Sequence, residues 1–214
     1  MHIDEDLRRW WTEPGEVVRV ATDASRRNVG SRVAGRVRVP HPVPAGAEET
    51  TGIDRSYPDP SSFTTAGRFA ANEWADDDTL SWWAQAADPD RDAVRAADAL
   101  AIGLGETGIA ITTRRFAVLL PAKFLVSRQE ELRTARREKG LLRQAASHVN
   151  DFIGRGSWLV GDRVVSVWEI EVERVLGWSP VLIGRGFPFA RVLRVDFVDG
   201  SVLYGRTGPR DLIE

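Results

Sequence analysis

Hydrophobic and polar positions change period several times along this chain, and each change marks an expected element. Asp4–Trp11 has the spacing of a short helix, ended by Pro14-Gly15, and Glu16–Ala21 alternates as a strand does. Between Asp23 and Asn72 the periodicity fades. Pro40, Pro42, Pro44, Pro58 and Pro60 fall there. Proline fixes φ and restricts its predecessor, so Val37–Pro44 is expected to be extended and residues 23–72 to form an irregular excursion over the surface. Asp76-Asp77-Asp78 stands ahead of Leu80, Trp82 and Trp83, which fits a helix N-terminus, where carboxylates meet free N–H groups. Pro89 then opens a second helix, Asp90–Ala101, with Ala93, Val94, Ala97 and Leu100 on one face.

From Ile102 onward the pattern is mostly that of strands. Ile109–Thr113 and Phe116–Leu120 are rich in branched and aromatic residues and are joined through Arg114-Arg115. Gln129–Phe152 has a partial helical stripe of Leu132, Ala135, Leu142, Ala146 and Val149, a basic insertion over 128–153. Val164–Leu176 follows as a strand. Arg191–Val198 and Ser201–Arg206 flank Asp199-Gly200, a strong hairpin signal because both turn residues tolerate positive φ. Val192, Val195 or Phe197, Val202 and Tyr204 are expected among its packed residues.

Composition narrows the chemistry. At 214 residues the chain suits one domain, 1–214, with a β-rich core at 101–207 and a first strand at 16–21. Cysteine is absent, which excludes disulfides, thiolate metal sites and cysteine nucleophiles. The 29 basic and 31 acidic side chains nearly cancel, so no global field points to nucleic acid. Charge is nevertheless uneven. Arg114–Arg143 carries 9 basic against 3 acidic residues, which allows a local basic patch. The start lacks the basic and apolar regions of a secretory signal, and no apolar run nears the roughly 20 residues of a membrane helix, so a cytoplasmic location is expected.

No motif of an established chemistry survives its context. Gly103-Leu104-Gly105-Glu106-Thr107-Gly108 matches G-x-G-x-x-G, yet a helix precedes it and a strand follows, the reverse of a dinucleotide site, so a tight turn is expected. Glu169, Glu171 and Glu173 would share one face of a strand, best read as a solvent-facing stripe. His2, His41 and His148 have no zinc spacing, and no serine sits in G-x-S-x-G. The doublets Trp10-Trp11 and Trp82-Trp83 are expected to pack internally. No catalytic residue, metal or cofactor is expected, and a non-enzymatic role is favoured.

The run Glu106–Leu120, two strands around Thr112-Thr113-Arg114-Arg115, resembles a hairpin of bacterial PH-like and GRAM-like domains. Trp168-Glu169-Ile170 is similar to the start of a later strand in those families, and Val192–Ser201 to their late hairpin. The resemblance covers roughly 101–126 and 160–207. It implies an α+β fold: a PH-like bent antiparallel barrel or sheet with inserted helices and a long proline-rich N-terminal excursion, an internal helix covering the barrel's open end. It also implies a non-catalytic interaction module. A protein partner is the first expectation, and an anionic lipid or phosphate the second, with no nucleic acid. The candidate binding residues are Arg114, Arg115, Lys123, Arg128, Arg133, Arg136 and Arg137, which could converge if the helix folds beside the hairpin. The alternatives are a structural subunit using its proline-rich arm, or an enzyme with an Asp/Arg site.

Overall fold

The computed structural model describes residues 3–22, 24–53, 57–128 and 162–206. In chain order the helices are α1 (Ile3–Trp10), α2 (Ser62–Thr65) and α3 (Asp92–Ile102). The strands are β1 (Val18–Ala21), β2 (Asn28–Val33), β3 (Arg36–Arg38), β4 (Leu80–Ala86), β5 (Gly108–Thr112), β6 (Arg115–Pro121), β7 (Val164–Glu171), β8 (Val175–Ile183), β9 (Ala190–Phe197) and β10 (Val202–Arg206). They build two open sheets, in the orders β1-β5-β6-β7 and β3-β2-β4-β10-β9-β8. The α+β class holds, but the strands do not close into one barrel. All pairs are antiparallel except β2 with β4, which is parallel. The candidate helical insertion at 128–153 lies outside the described residues beyond Arg128.

The two sheets enclose α3. Its Ala93, Ala96, Ala97 and Leu100 share one core with Ile109, Ile111, Phe116 and Val118 of the first sheet and Trp82, Ala84, Leu193 and Val195 of the second. Small alanines let the strands approach the helix, and the sheets meet directly where Phe116 stands edge-on to Phe197, 5.4 Å between ring centres. The other face of the first sheet is covered by α1 through Leu7, against Ala110, Ala117 and Leu119. The other face of the second sheet carries Phe69, Trp74, Trp83, Val192 and Tyr204.

Three expectations are corrected here. Leu80–Ala86 is a strand, not the continuation of a helix begun at Asp76. It is buried on both faces, with Trp82 toward α3 and Trp83 stacked on Trp74, so the polar alternation that signals a strand is missing. Residues 23–72 are not wholly irregular either, since β2 and β3 lie within them. Val164–Leu176 is likewise interrupted: a 3-10 turn at Val172–Arg174 carries the chain from the first sheet to the second.

The aspartates ahead of β4 hold loops together. Asp76 accepts the backbone N–H groups of Arg185 and Gly186, and Asp77 accepts those of Ser61 and Thr79 together with the Thr79 hydroxyl. Burial pushes the Asp77 carboxyl up, but hydrogen bonds from Thr64, Thr79 and Ser61 outweigh it and hold the pKa at about 2. A depressed folded pKa adds stability above the unfolded value near 3.8, lost as pH falls toward 2. The stability gap between wild type and Asp77→Asn, measured by urea unfolding, is therefore expected to shrink from pH 5 to pH 2. A gap independent of pH would refute this linkage.

The 198–200 hairpin forms as expected, with a different turn. Only Gly200 has positive φ, at +81°; its N–H donates to the Phe197 carbonyl, and the Phe197 N–H donates to that of Ser201. This is the three-residue loop with glycine in the left-handed position. Asp199 is thereby free for another task. Its carboxylate accepts the N–H of Asp92 at 2.6 Å, while Ser201 Oγ accepts that of Ala93 at 3.0 Å. The hairpin thus caps α3 in place of Arg91, whose side chain makes no cap.

Candidate functional site

Arg114 and Arg115 sit at the β5–β6 turn, as the sequence places them. Arg115 is fully engaged there. Its Nε and Nη2 donate to the two carboxylate oxygens of Glu16 at 3.0 and 3.1 Å, and Nη1 donates to Glu169 at 3.0 Å. Its guanidinium lies 4.2 Å from the Trp11 ring centre. Glu16 is buried; burial alone would raise its pKa, but hydrogen bonds from Arg115, the Glu13 backbone and Thr112 lower it. Arg114 donates to Glu13 at 2.7 Å.

These residues line a recess of about 480 Å³ together with Arg174 and Glu171. Arg174 is itself paired with Asp92. Three guanidiniums therefore face four carboxylates, and an incoming anion would have to displace glutamates already in place. Glu169 lies in this network, while Glu173 falls on the 3-10 turn and does not continue a strand stripe. Lys123 pairs with Asp162 at 2.8 Å beyond the opposite end of β6. The strand runs seven residues from Arg115 to that end, a span of roughly 20 Å. Arg128 lies on the Lys123 side; Arg133, Arg136 and Arg137 lie outside the described residues. The structure brings together Arg114 and Arg115, and does not bring Lys123 to them.

Among the sequence's remaining candidates, the glycine run 103–108 is a tight turn between α3 and β5, with Leu104 and Gly105 both at positive φ. A Cβ on Gly105 would come within 2.9 Å of the Arg26 Cα, so glycine is required by a close backbone approach. His41 lies between Ser31 and Asp98: Ser31 Oγ is 2.7 Å from Nδ1, and Asp98 Oδ1 is 2.7 Å from Nε2. The trio has the residue types of a hydrolase triad, yet Ser31 is fully buried and no substrate carbonyl can reach its oxygen in this conformation. The contact pins the proline-rich segment to α3.

A different surface was not singled out by the sequence. On the edge strand β8, Leu176 is 71% exposed and Leu182 66%, and Trp178 is also exposed. The following loop adds Phe187, 94% exposed, and Phe189. The pairing of Trp178 with Val195 and of Pro180 with Leu193 puts Trp178, Pro180 and Leu182 on the sheet face that packs on α3, but beyond that core's reach, while Leu176 stands at an irregularity of the pairing. The loop's position is fixed by Asp76, which accepts its backbone N–H groups, and by an Arg185–Glu73 ion pair. Alternate apolar residues on a strand ordinarily signal burial, which is why the row could not be recognised as surface.

Comparisons with family models, with characterised proteins and with solved structures return no match. Among the described residues no helix is long and apolar enough to cross a membrane, and no group of three or more histidines and carboxylates could hold a metal.

Proposed function

We propose that this chain is a non-catalytic interaction module, PH-like in its hairpins, that binds a protein partner through β8 and the loop at 184–189. The observation that carries the reading is the exposure of Leu176, Trp178 and Leu182 at alternate positions of one edge strand, with Phe187 and Phe189 exposed in the loop that follows it. Large apolar side chains clustered on a surface favour a protein interface, and tryptophan is the commonest anchor of such interfaces. The partner's chemistry follows from the surroundings. Arg191, exposed and directly opposite Leu182, forms no ion pair among the described residues. An apolar partner surface bearing a carboxylate fits it. Pro180 lacks an N–H in the middle of the free edge, so docking uses side chains rather than an added strand.

The test places a photoreactive residue at Leu176 and crosslinks in the native cell. One heterologous adduct is expected, reduced at least tenfold by Leu182→Glu or by Arg191→Glu. Trp178→Ala is expected to weaken the isolated complex by about 2 kcal/mol, roughly thirtyfold in Kd. An adduct of twice the chain mass would mean self-association and overturn the reading, as would no adduct.

A further inference from the structure

We propose a second binding site, for a small oxyanion, in a recess on the outer face of the second sheet, formed by Arg32, Gln85, Arg194 and Tyr204. The register assembles it. Arg32 stands opposite Gln85, Gln85 opposite Val202, and Tyr204 opposite Arg194, so residues from four neighbouring strands project to one side. The layer of Phe69, Trp74 and Trp83 covers only part of that face. What it leaves open is a recess of about 500 Å³, within the range of small-ligand sites.

The donors are held in place without being used up. Arg32 donates through Nη2 to the Phe69 carbonyl at 3.2 Å, and its guanidinium carbon lies 5.0 Å from the centre of the Phe69 ring. Among the described residues no carboxylate pairs with it, which leaves most of its five N–H donors for a ligand. Arg194 gives Nε and Nη2 to Asp196, leaving Nη1. The Gln85 side chain is exposed. Burial pushes the Tyr204 phenol up, with Arg194 opposing and Asp196 adding, so its hydroxyl keeps its proton at neutral pH.

Two guanidiniums therefore meet one carboxylate, and the recess is net positive, unlike the glutamate-rich one at Arg115. At the rim, Gly35 and Gly200 have open space where a side chain would stand. Planar guanidinium forks match the oxygens of a phosphate or a carboxylate, and the recess admits a small molecule carrying either.

Calorimetric titration with pyrophosphate and, separately, with citrate at low salt tests this and tells the two anion classes apart. Wild type is expected to bind at least one probe in a saturable one-to-one manner. Gln85→Glu, a change at an exposed position, is expected to weaken that affinity at least tenfold, as is Arg32→Met; Asp196→Asn is expected to tighten it severalfold. Leu182→Glu, on the surface proposed for a protein partner, leaves it unchanged. Absence of saturable binding by wild type, or equal affinity in wild type and Gln85→Glu, overturns the site and leaves the protein-docking reading untouched.

Discussion

Urea unfolding of a Trp83→Ala variant is expected to show a loss of about 3–5 kcal/mol relative to wild type. Trp83 is buried at the middle of β4, stacked on Trp74 at 5.2 Å with an interplanar angle of 6°, and Phe69 meets its ring edge-on at 5.5 Å. The strand beside it is shaped to the ring: a Cβ on Gly30 would come within 2.7 Å of it. Removing the indole leaves a cavity whose walls are rigid rings and sheet backbone, so little collapse can offset the lost contacts. The matched control is Trp10→Ala. Trp10 is 41% exposed, with Arg9 over its ring, and its loss is expected to cost less than about 1 kcal/mol. Equal losses at the two positions would show that the Trp74–Trp83 stack does not anchor the second sheet.

Arg115→Met is expected to cost a similar amount, about 3–5 kcal/mol, for an electrostatic reason. The Glu16 side chain is fully buried and Arg115 only 18% exposed, so the variant leaves a carboxylate out of water without its bidentate partner. Pairing it with Glu16→Gln should recover much of the loss, because the uncompensated charge is then gone. Thermal unfolding of the two singles and the double measures this; additive losses would contradict it. Arg114→Ala, at an exposed pair with Glu13, should change stability by less than about 1 kcal/mol. The difference matters for the anion reading of this turn. A test by sedimentation with phosphoinositide vesicles is informative with Arg114→Ala, whereas replacing Arg115 would confound lost binding with lost folding.

Where neighbours in sequence make the contacts, the chain could be read directly. The 108–121 hairpin, the hairpin around Gly200 and the helix after Pro89 depend on turn chemistry and on a stripe at i, i+3 and i+4, all local properties. β2 and β4 could not be read the same way. Both are inner strands covered on both faces over most of their length, so burial erased the alternation, and their parallel pairing joins segments separated by a proline-rich stretch. The site followed the same division. Sequence put Arg114 and Arg115 together at a turn, but only folding brought Glu16 and Glu169 to neutralise Arg115 and set Lys123 at the other end of β6. The exposure of Leu176 and Leu182 was likewise decided by strand order, which left β8 at an edge. Arg32 and Arg194 belong to strands three places apart in one sheet, and register rather than spacing in sequence puts them on a common face. Local sequence fixes turns and periodicity because those energies act over a few residues; which charges are cancelled, and which apolar rows stay bare, depends on what the rest of the chain places against them.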